Sequence, residues 1–173
     1  MKDILDQFDL DEETVRDWRL FAGKRAGYYV QQWRRIKQGQ WVSFNVSAFV
    51  FGVFWLLYRQ MLRPTILYLS IFFAEGFVEK LVFQYLGFSI PPVWWIFTRT
   101  FLFALLLGLF GNWIYLIHAE DQIQRIKASY PPERQAQLLR LNGGTSFVPV
   151  ILFLLLILVI LLSNRFWLIG LIS

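Results

Sequence analysis

Glu75, Glu79, Lys80 and Arg99 sit inside stretches that are otherwise almost wholly apolar. A charge in such a setting is costly unless it is paired, so these residues are the first candidates for an ion pair, a proton relay or an ion path. If residues 66–88 and 93–117 form an antiparallel hairpin turning near Ile90, Glu79 lies 11 residues before the turn and Arg99 lies 9 after it. The two then share a depth, and Glu75 lies one helical turn from Glu79 on the same face. The spacing predicts a Glu79–Arg99 ion pair, with Glu75 or Lys80 completing a small network. Such a network either fixes helix register or, in an oligomer, lines a route for protons or ions.

Other reactive groups are sparse. His118 is the single histidine, and its neighbours Glu120 and Asp121 fall on different helical faces, so no metal site is expected. A lone histidine at a membrane exit reads as an interfacial hydrogen-bonding residue, and nothing supports its use as an axial haem or chlorophyll ligand. The chain has no cysteine, which removes disulfides, thiolate metal sites and cysteine nucleophiles. No Ser/His/Asp set has nucleophile-elbow spacing. Gly143-Gly144-Thr145-Ser146 lacks the lysine of a phosphate loop and precedes an apolar run, so it reads as a flexible helix start capped by Thr or Ser. Neither catalysis nor a cofactor is expected.

The elements that position these residues follow from composition. Of 173 residues, 57% are apolar, more than one soluble core of this size can hide, which indicates an all-α integral membrane protein. The net charge of +5 lies beside apolar segments and points to anionic lipid rather than nucleic acid. The acidic start MKDILDQFDLDEETVRDW has no apolar core of a cleavable signal. Residues 1–40 read as a cytoplasmic amphipathic arm, opening with Asp9 and Glu12 at capping-box spacing before Val15, Trp18 and Phe21, and bending at Gly23. Tyr29, Trp33 and Ile36 recur on one helical face with Arg34, Arg35 and Lys37 off it. A helix on the membrane surface is expected, with Trp33 and Trp41 in lipid and Arg34, Arg35 and Lys37 among headgroups. Packing against the chain itself is the alternative.

Residues 41–59 are apolar but short: Val46 to Tyr58 is 13 residues, against ~20 needed to cross a hydrocarbon core. This segment is expected to be re-entrant or interfacial. Residues 66–88, 93–117 and 147–172 are the three expected transmembrane helices, and 118–146 is a cytoplasmic connection that Pro131 and Pro132 break into two short helical pieces. If 41–59 does not cross, the cations outside the spans divide 14 inside to 1 outside; if it crosses, they divide 9 to 6. The first arrangement fits the positive-inside bias, with a cytoplasmic amino terminus and the Ser89–Pro92 turn and carboxyl terminus outside. Trp41, Trp55, Tyr58, Trp94, Trp95, Trp113, Tyr115 and Trp167 lie near the expected interfaces, the pattern of an aromatic belt.

One set of residues carries a family resemblance. Phe21-Ala22-Gly23-Lys24, Tyr28-Tyr29, Trp33, Ser43-Phe44-Asn45, Ala48-Phe49, Phe51-Gly52, Phe54-Trp55-Leu56-Leu57-Tyr58-Arg59 and Met61 look like the bacterial membrane-protein family called domain of unknown function 2628. Gly111-Asn112-Trp113-Ile114-Tyr115 with His118, and Gly143-Gly144-Thr145-Ser146, fit its later signature. The resemblance spans roughly residues 20–150, with departures at Val46, Val53 and Leu62. It implies a small bacterial inner-membrane protein and no established activity. Physically, Ser43 or Asn45 can cap a short helix, Gly52 can admit another helix, and Trp55, Tyr58 and Arg59 can anchor at the interface. Asn112, deep in an apolar stretch, is expected to hydrogen-bond to the segment from Ser43 to Trp55. The functional expectation is a non-enzymatic accessory or scaffold subunit. It would bind lipids and a larger membrane complex through Asn45, Gly52, Trp55, Tyr58, Arg59, Asn112, Trp113 and His118. An oligomeric transporter or channel using the intramembrane charges, or a lipid-organising protein, is the alternative.

Overall fold

The computed structural model describes residues 10–88 and 90–170, and these are helical with short connections and no strand. The expected capping residue Asp9, the turn residue Ser89, residues 171–172 of the last stretch, and the side chains of Arg165 and Trp167 lie outside the described residues.

The arm folds as α1 (Glu12–Ala22), a 3-10 turn (Gly23–Arg25) and α2 (Ala26–Lys37). Glu12 and Glu13 in the first turn of α1 suit the positive end of its dipole. The N-cap position is Asp11, whose side chain makes no capping bond. The bend comes from Gly23, whose φ of 65° a side chain would resist.

Two six-residue helices follow, α3 (Val46–Phe51) and α4 (Val53–Tyr58), separated by Gly52 at φ 53°. Each is only about 9 Å long at 1.5 Å per residue. A second turn through Gln60, with φ of 59°, leads into α5 (Leu62–Tyr85). The longest element is α6 (Val93–Ser129), at 37 residues, or about 55 Å. The connection therefore does not break into two short pieces after Ile117. Its first half simply continues α6, because residues 118–129 keep an apolar face through Ala119, Ile123 and Ile126 although hydropathy drops at His118. The prolines act where expected, ending α6 and starting α7 (Pro132–Asn142), with Pro132 at the first helical position. The last element is α8 (Val148–Gly170).

Among the described residues one helix, α6, is both long and apolar enough to cross a membrane. α5 has the length but carries Arg63, Glu75, Glu79 and Lys80, and the apolar Val148–Ser163 part of α8 is shorter.

The core gathers around the second half of α6. Leu107, Tyr115, Leu116, Ala119, Ile123 and Ile126 meet Val15, Trp18, Phe21 and Ala22 of α1, Tyr29, Val30, Trp33 and Ile36 of α2, and Leu139 of α7. This corrects the expectation for the arm. Its aromatic stripe faces the chain itself, and Trp33 is fully buried and closed to lipid. Tyr115 of α6 supplies the wall that Tyr29 and Trp33 cover, both rings meeting it edge-on. Trp55 and Tyr115, placed by sequence in an interfacial belt, are core residues for the same reason, whereas Trp41 and Trp94 are exposed.

Candidate functional site

Asn112 organises the polar centre. It is completely buried, on the face of α6 that meets α3, and that approach is close because Gly108 and Gly111 flank it. A Cβ on Gly111 would come within 2.9 Å of the Ala48 Cβ, and one on Gly108 within 2.9 Å of the Phe49 Cβ. With the backbones so near, the Asn112 amide donates to Ser43 Oγ at 2.8 Å and to Tyr28 Oη at 3.1 Å, while its oxygen accepts from Asn45 Nδ2 at 2.9 Å. Asn45 Oδ1 accepts from Ala48 N at 3.0 Å, which caps α3, and Asn45 N donates to the Gly108 carbonyl at 2.7 Å. Trp33 Nε1 donates to the Asn112 carbonyl at 3.2 Å. The network thus ties α2, the 43–45 strand-like segment and α6 together. It satisfies donors that would otherwise be bare in a low-dielectric setting.

A second centre surrounds Arg59, which is 3% exposed at the end of α4. Its guanidinium stacks over Tyr29 at 4.3 Å and Tyr115 at 5.1 Å. Its Nη1 donates at 3.4 to 3.5 Å to the carbonyls of Ala22 and Gly144 and to the Tyr115 hydroxyl. All of these partners are neutral, no carboxylate among the described residues pairs with Arg59, and its buried Nε has no acceptor. The loop Gly143–Ser146 closes this centre. Gly144 N donates to the Phe21 carbonyl at 2.7 Å, Gln60 Nε2 to the Gly143 carbonyl at 3.0 Å, and Ser146 N to the Tyr58 carbonyl at 2.9 Å. Beside Arg59 lies a cavity of about 620 Å³ lined by Lys24, Arg25, Tyr29, Phe51, Phe54, Trp55, Tyr58, Thr145, Phe147 and Val150 among others.

The charges within the apolar stretches form a third group. Arg99 Nη1 lies 2.5 Å from Glu79 Oε2 and 3.5 Å from Glu75 Oε2, and the guanidinium also sits 4.7 Å over the Phe72 ring. Gly76 makes room for it, since a Cβ there would be 3.1 Å from Arg99 Nη1. Lys80 does not join: it points outward and makes no ion pair among the described residues, because it lies beside Glu79 in sequence and hence on another helical face.

At the far end the arm is pinned by charge. Lys127 Nζ lies 2.6 Å from Asp17 and 2.7 Å from Glu13, contacts that hold its ammonium above the usual lysine value, Asp17 foremost. Lys37 pairs with Glu120 at 2.8 Å rather than with headgroups, while Arg34 and Arg35 stay exposed. His118 is half-buried beside Phe21, and burial lowers its pKa against the opposing pull of Asp121. No group of three His, Cys, Asp or Glu side chains gathers among the described residues.

Several residues expected to face a partner are thereby reassigned. Asn45, Trp55, Arg59 and Asn112 are buried inside the chain and have no surface to offer another protein. Gly52 admits no neighbouring helix, since a Cβ there would touch nothing within 4 Å; its φ of 53° is what requires glycine. Tyr58, Trp113 and His118 are partly exposed. Of the glycines that allow close approach, Gly111 was named from sequence only as part of the family signature and Gly108 not at all, nor was the Asp17–Lys127 contact. A small-residue spacing within the 93–117 run was the available signal for the former.

A family model described as a protein of unknown function, DUF2628, matches residues 9–120. That range takes in all three charged and polar centres but stops before the Gly143–Ser146 loop. No curated protein and no solved structure matches the chain.

Proposed function

Because the chain belongs to the DUF2628 family, whose description names no activity, we propose from its own geometry that it is a non-catalytic, multi-pass scaffold subunit of a bacterial inner membrane. It presents apolar helices to a larger membrane protein complex. α5, the first 25 residues of α6 and α8 are the three spans in this reading, with α1, α2, α7 and the end of α6 forming a cytoplasmic body. Two features support the placement. The arm and the 118–146 connection, which carry most of the cations, pack on each other through Lys127, Asp17 and Glu13. The α3–α4 segment consists of two six-residue helices, each too short to cross.

The observation that carries the scaffold reading is the unpartnered surface of α5 and α8. Leu67, Ile71, Phe73 and Phe77 on α5, and Leu152, Leu155, Val159 and Leu161 on α8, are each about half exposed or more. Apolar surface on this scale marks contact with lipid or another helix. Meanwhile the polar side chains of the body are consumed in holding it together, which suits a rigid platform. Photo-crosslinkers at Ile71 and Leu155 test this in membranes. Capture of one larger protein in stoichiometric yield is expected, and capture of lipid or of the chain's own copies alone contradicts it.

The Glu75–Glu79–Arg99 group favours a second reading, an oligomeric transporter or channel. Its test is Glu79→Gln, which would abolish a proton-linked flux while leaving assembly intact.

A further inference from the structure

The cavity beside Arg59 has two kinds of wall. Three cations line it, Arg59, Lys24 and Arg25. Phe51, Phe54, Phe147 and Val150 supply its apolar lining. Arg59 is buried with neutral partners only, and its Nε points at no acceptor. Stacking on Tyr29 and Tyr115 offsets part of the cost of burying that charge, but a buried cation without an anion remains expensive. Lys24 and Arg25 stand exposed at the rim and make no ion pair among the described residues. The missing partner for all three is an anion supplied from outside.

We propose that this cavity is a binding site for an anionic phospholipid, its phosphate held by Arg59, Lys24 and Arg25 and part of an acyl chain lying against Phe51, Phe54 and Phe147. The volume of about 620 Å³ falls within the range of sites for small organic ligands. Phe51 at its edge is 60% exposed, so a chain can leave along the α3–α4 surface without threading a closed hole. The site joins the bend after α1, the end of α4 and the start of α8. A bound lipid would therefore clamp the arm to the last span. A free phosphate satisfies the cations but leaves the apolar wall empty, and a zwitterionic lipid fills the wall but compensates the cations poorly. Only the two features together specify the ligand.

The inference shares the membrane placement proposed above but not the partner protein. Lipid retention read on the purified chain alone lets each fail separately. Native mass spectrometry of the chain released from nanodiscs of mixed phosphatidylglycerol and phosphatidylcholine should show one phosphatidylglycerol retained in preference to phosphatidylcholine. Lys24→Gln with Arg25→Gln alters only exposed rim residues and should weaken retention by about tenfold. Val150→Trp, which fills part of the apolar lining, should weaken it comparably with the cations intact. Equal retention of the two lipids, or unchanged retention in both variants, overturns the proposal. So does displacement by millimolar inorganic phosphate, which would mark a headgroup-only anion site.

Discussion

The two ends of α6 are held to their neighbours by different means. Its second half, from Leu107 to Ile126, is wrapped by α1, α2, α3 and α7, with Trp18, Trp33, Tyr29 and Tyr115 in mutual edge contacts and Asn112 satisfied on every side. Its first half meets α5, chiefly through Arg99 with Glu79 and Glu75 and a few rings such as Phe72 against Phe103, and touches α3 through Phe49 against Phe101. Where water is the solvent, burial of aromatics drives association and a dense core is possible. Where lipid is the solvent, burial of apolar groups gains nothing, and polar contacts and small-residue packing must hold helices together. Under the proposed membrane placement the body beyond Ile117 lies in water, whereas Leu107 to Ile117 lie in the span, where the Asn112 hydrogen bonds and the close approaches at Gly108 and Gly111 supply the polar and small-residue packing that lipid demands.

Replacing Asn112 should hurt most. Asn112→Leu leaves Asn45, Ser43 and Tyr28 without their buried partner, at a cost on the order of 4 kcal/mol. Hydrogen exchange should rise in α2 and α3 while α5 stays protected; equal loosening at both ends would erase the distinction between them. Gly143→Ala comes next. Its Cβ would meet the Phe21 carbonyl oxygen well inside contact distance, and because that atom is backbone the arm must shift, costing about 3 kcal/mol. A melt in mild detergent reads that loss. For the end of α6 that meets α5, Arg99→Met should cost about 2 kcal/mol by stranding Glu79, and adding Glu79→Leu should recover part of it. A double variant as damaged as the sum of the two singles would mean the pair is not coupled. The smallest effect belongs to His118, whose burial lowers its pKa. It folds neutral, so its contribution is present above the ordinary histidine value of about 6.5 and is lost as pH falls through the lowered folded value. Substitution His118→Phe should flatten that acid limb of the melting curve.

Much of this was legible beforehand for stated reasons. Counting residues from the Pro91-Pro92 turn put Glu79 opposite Arg99, and the isolation of Asn112 in an apolar stretch announced a hydrogen-bond partner. The shortness of the Val46–Tyr58 run is matched by two six-residue helices divided at Gly52. What sequence could not supply was the identity of each face's partner. The Tyr29–Trp33–Ile36 stripe has the same period whether it covers lipid or α6. The drop in hydropathy at His118 looks like a helix end although α6 runs on unbroken to Ser129. Arg59 reads as an interfacial anchor because its burial depends on Tyr29, Tyr115 and Gly144, all distant in sequence. Gly108 and Gly111 were silent because a glycine in an apolar run reveals its purpose only when Ala48 and Phe49 are placed against it.

The division between two solvents can be measured directly because the chain contains no cysteine. Single cysteines at Gln38, Ile90 and Leu155, probed with a membrane-impermeant maleimide in sealed vesicles of both orientations, report side and depth at once. Opposite-side labelling of Gln38→Cys and Ile90→Cys, with Leu155→Cys protected until the membrane is dissolved, is the predicted result. Labelling of Gln38→Cys and Ile90→Cys from the same side, or free labelling of Leu155→Cys in intact vesicles, would contradict it.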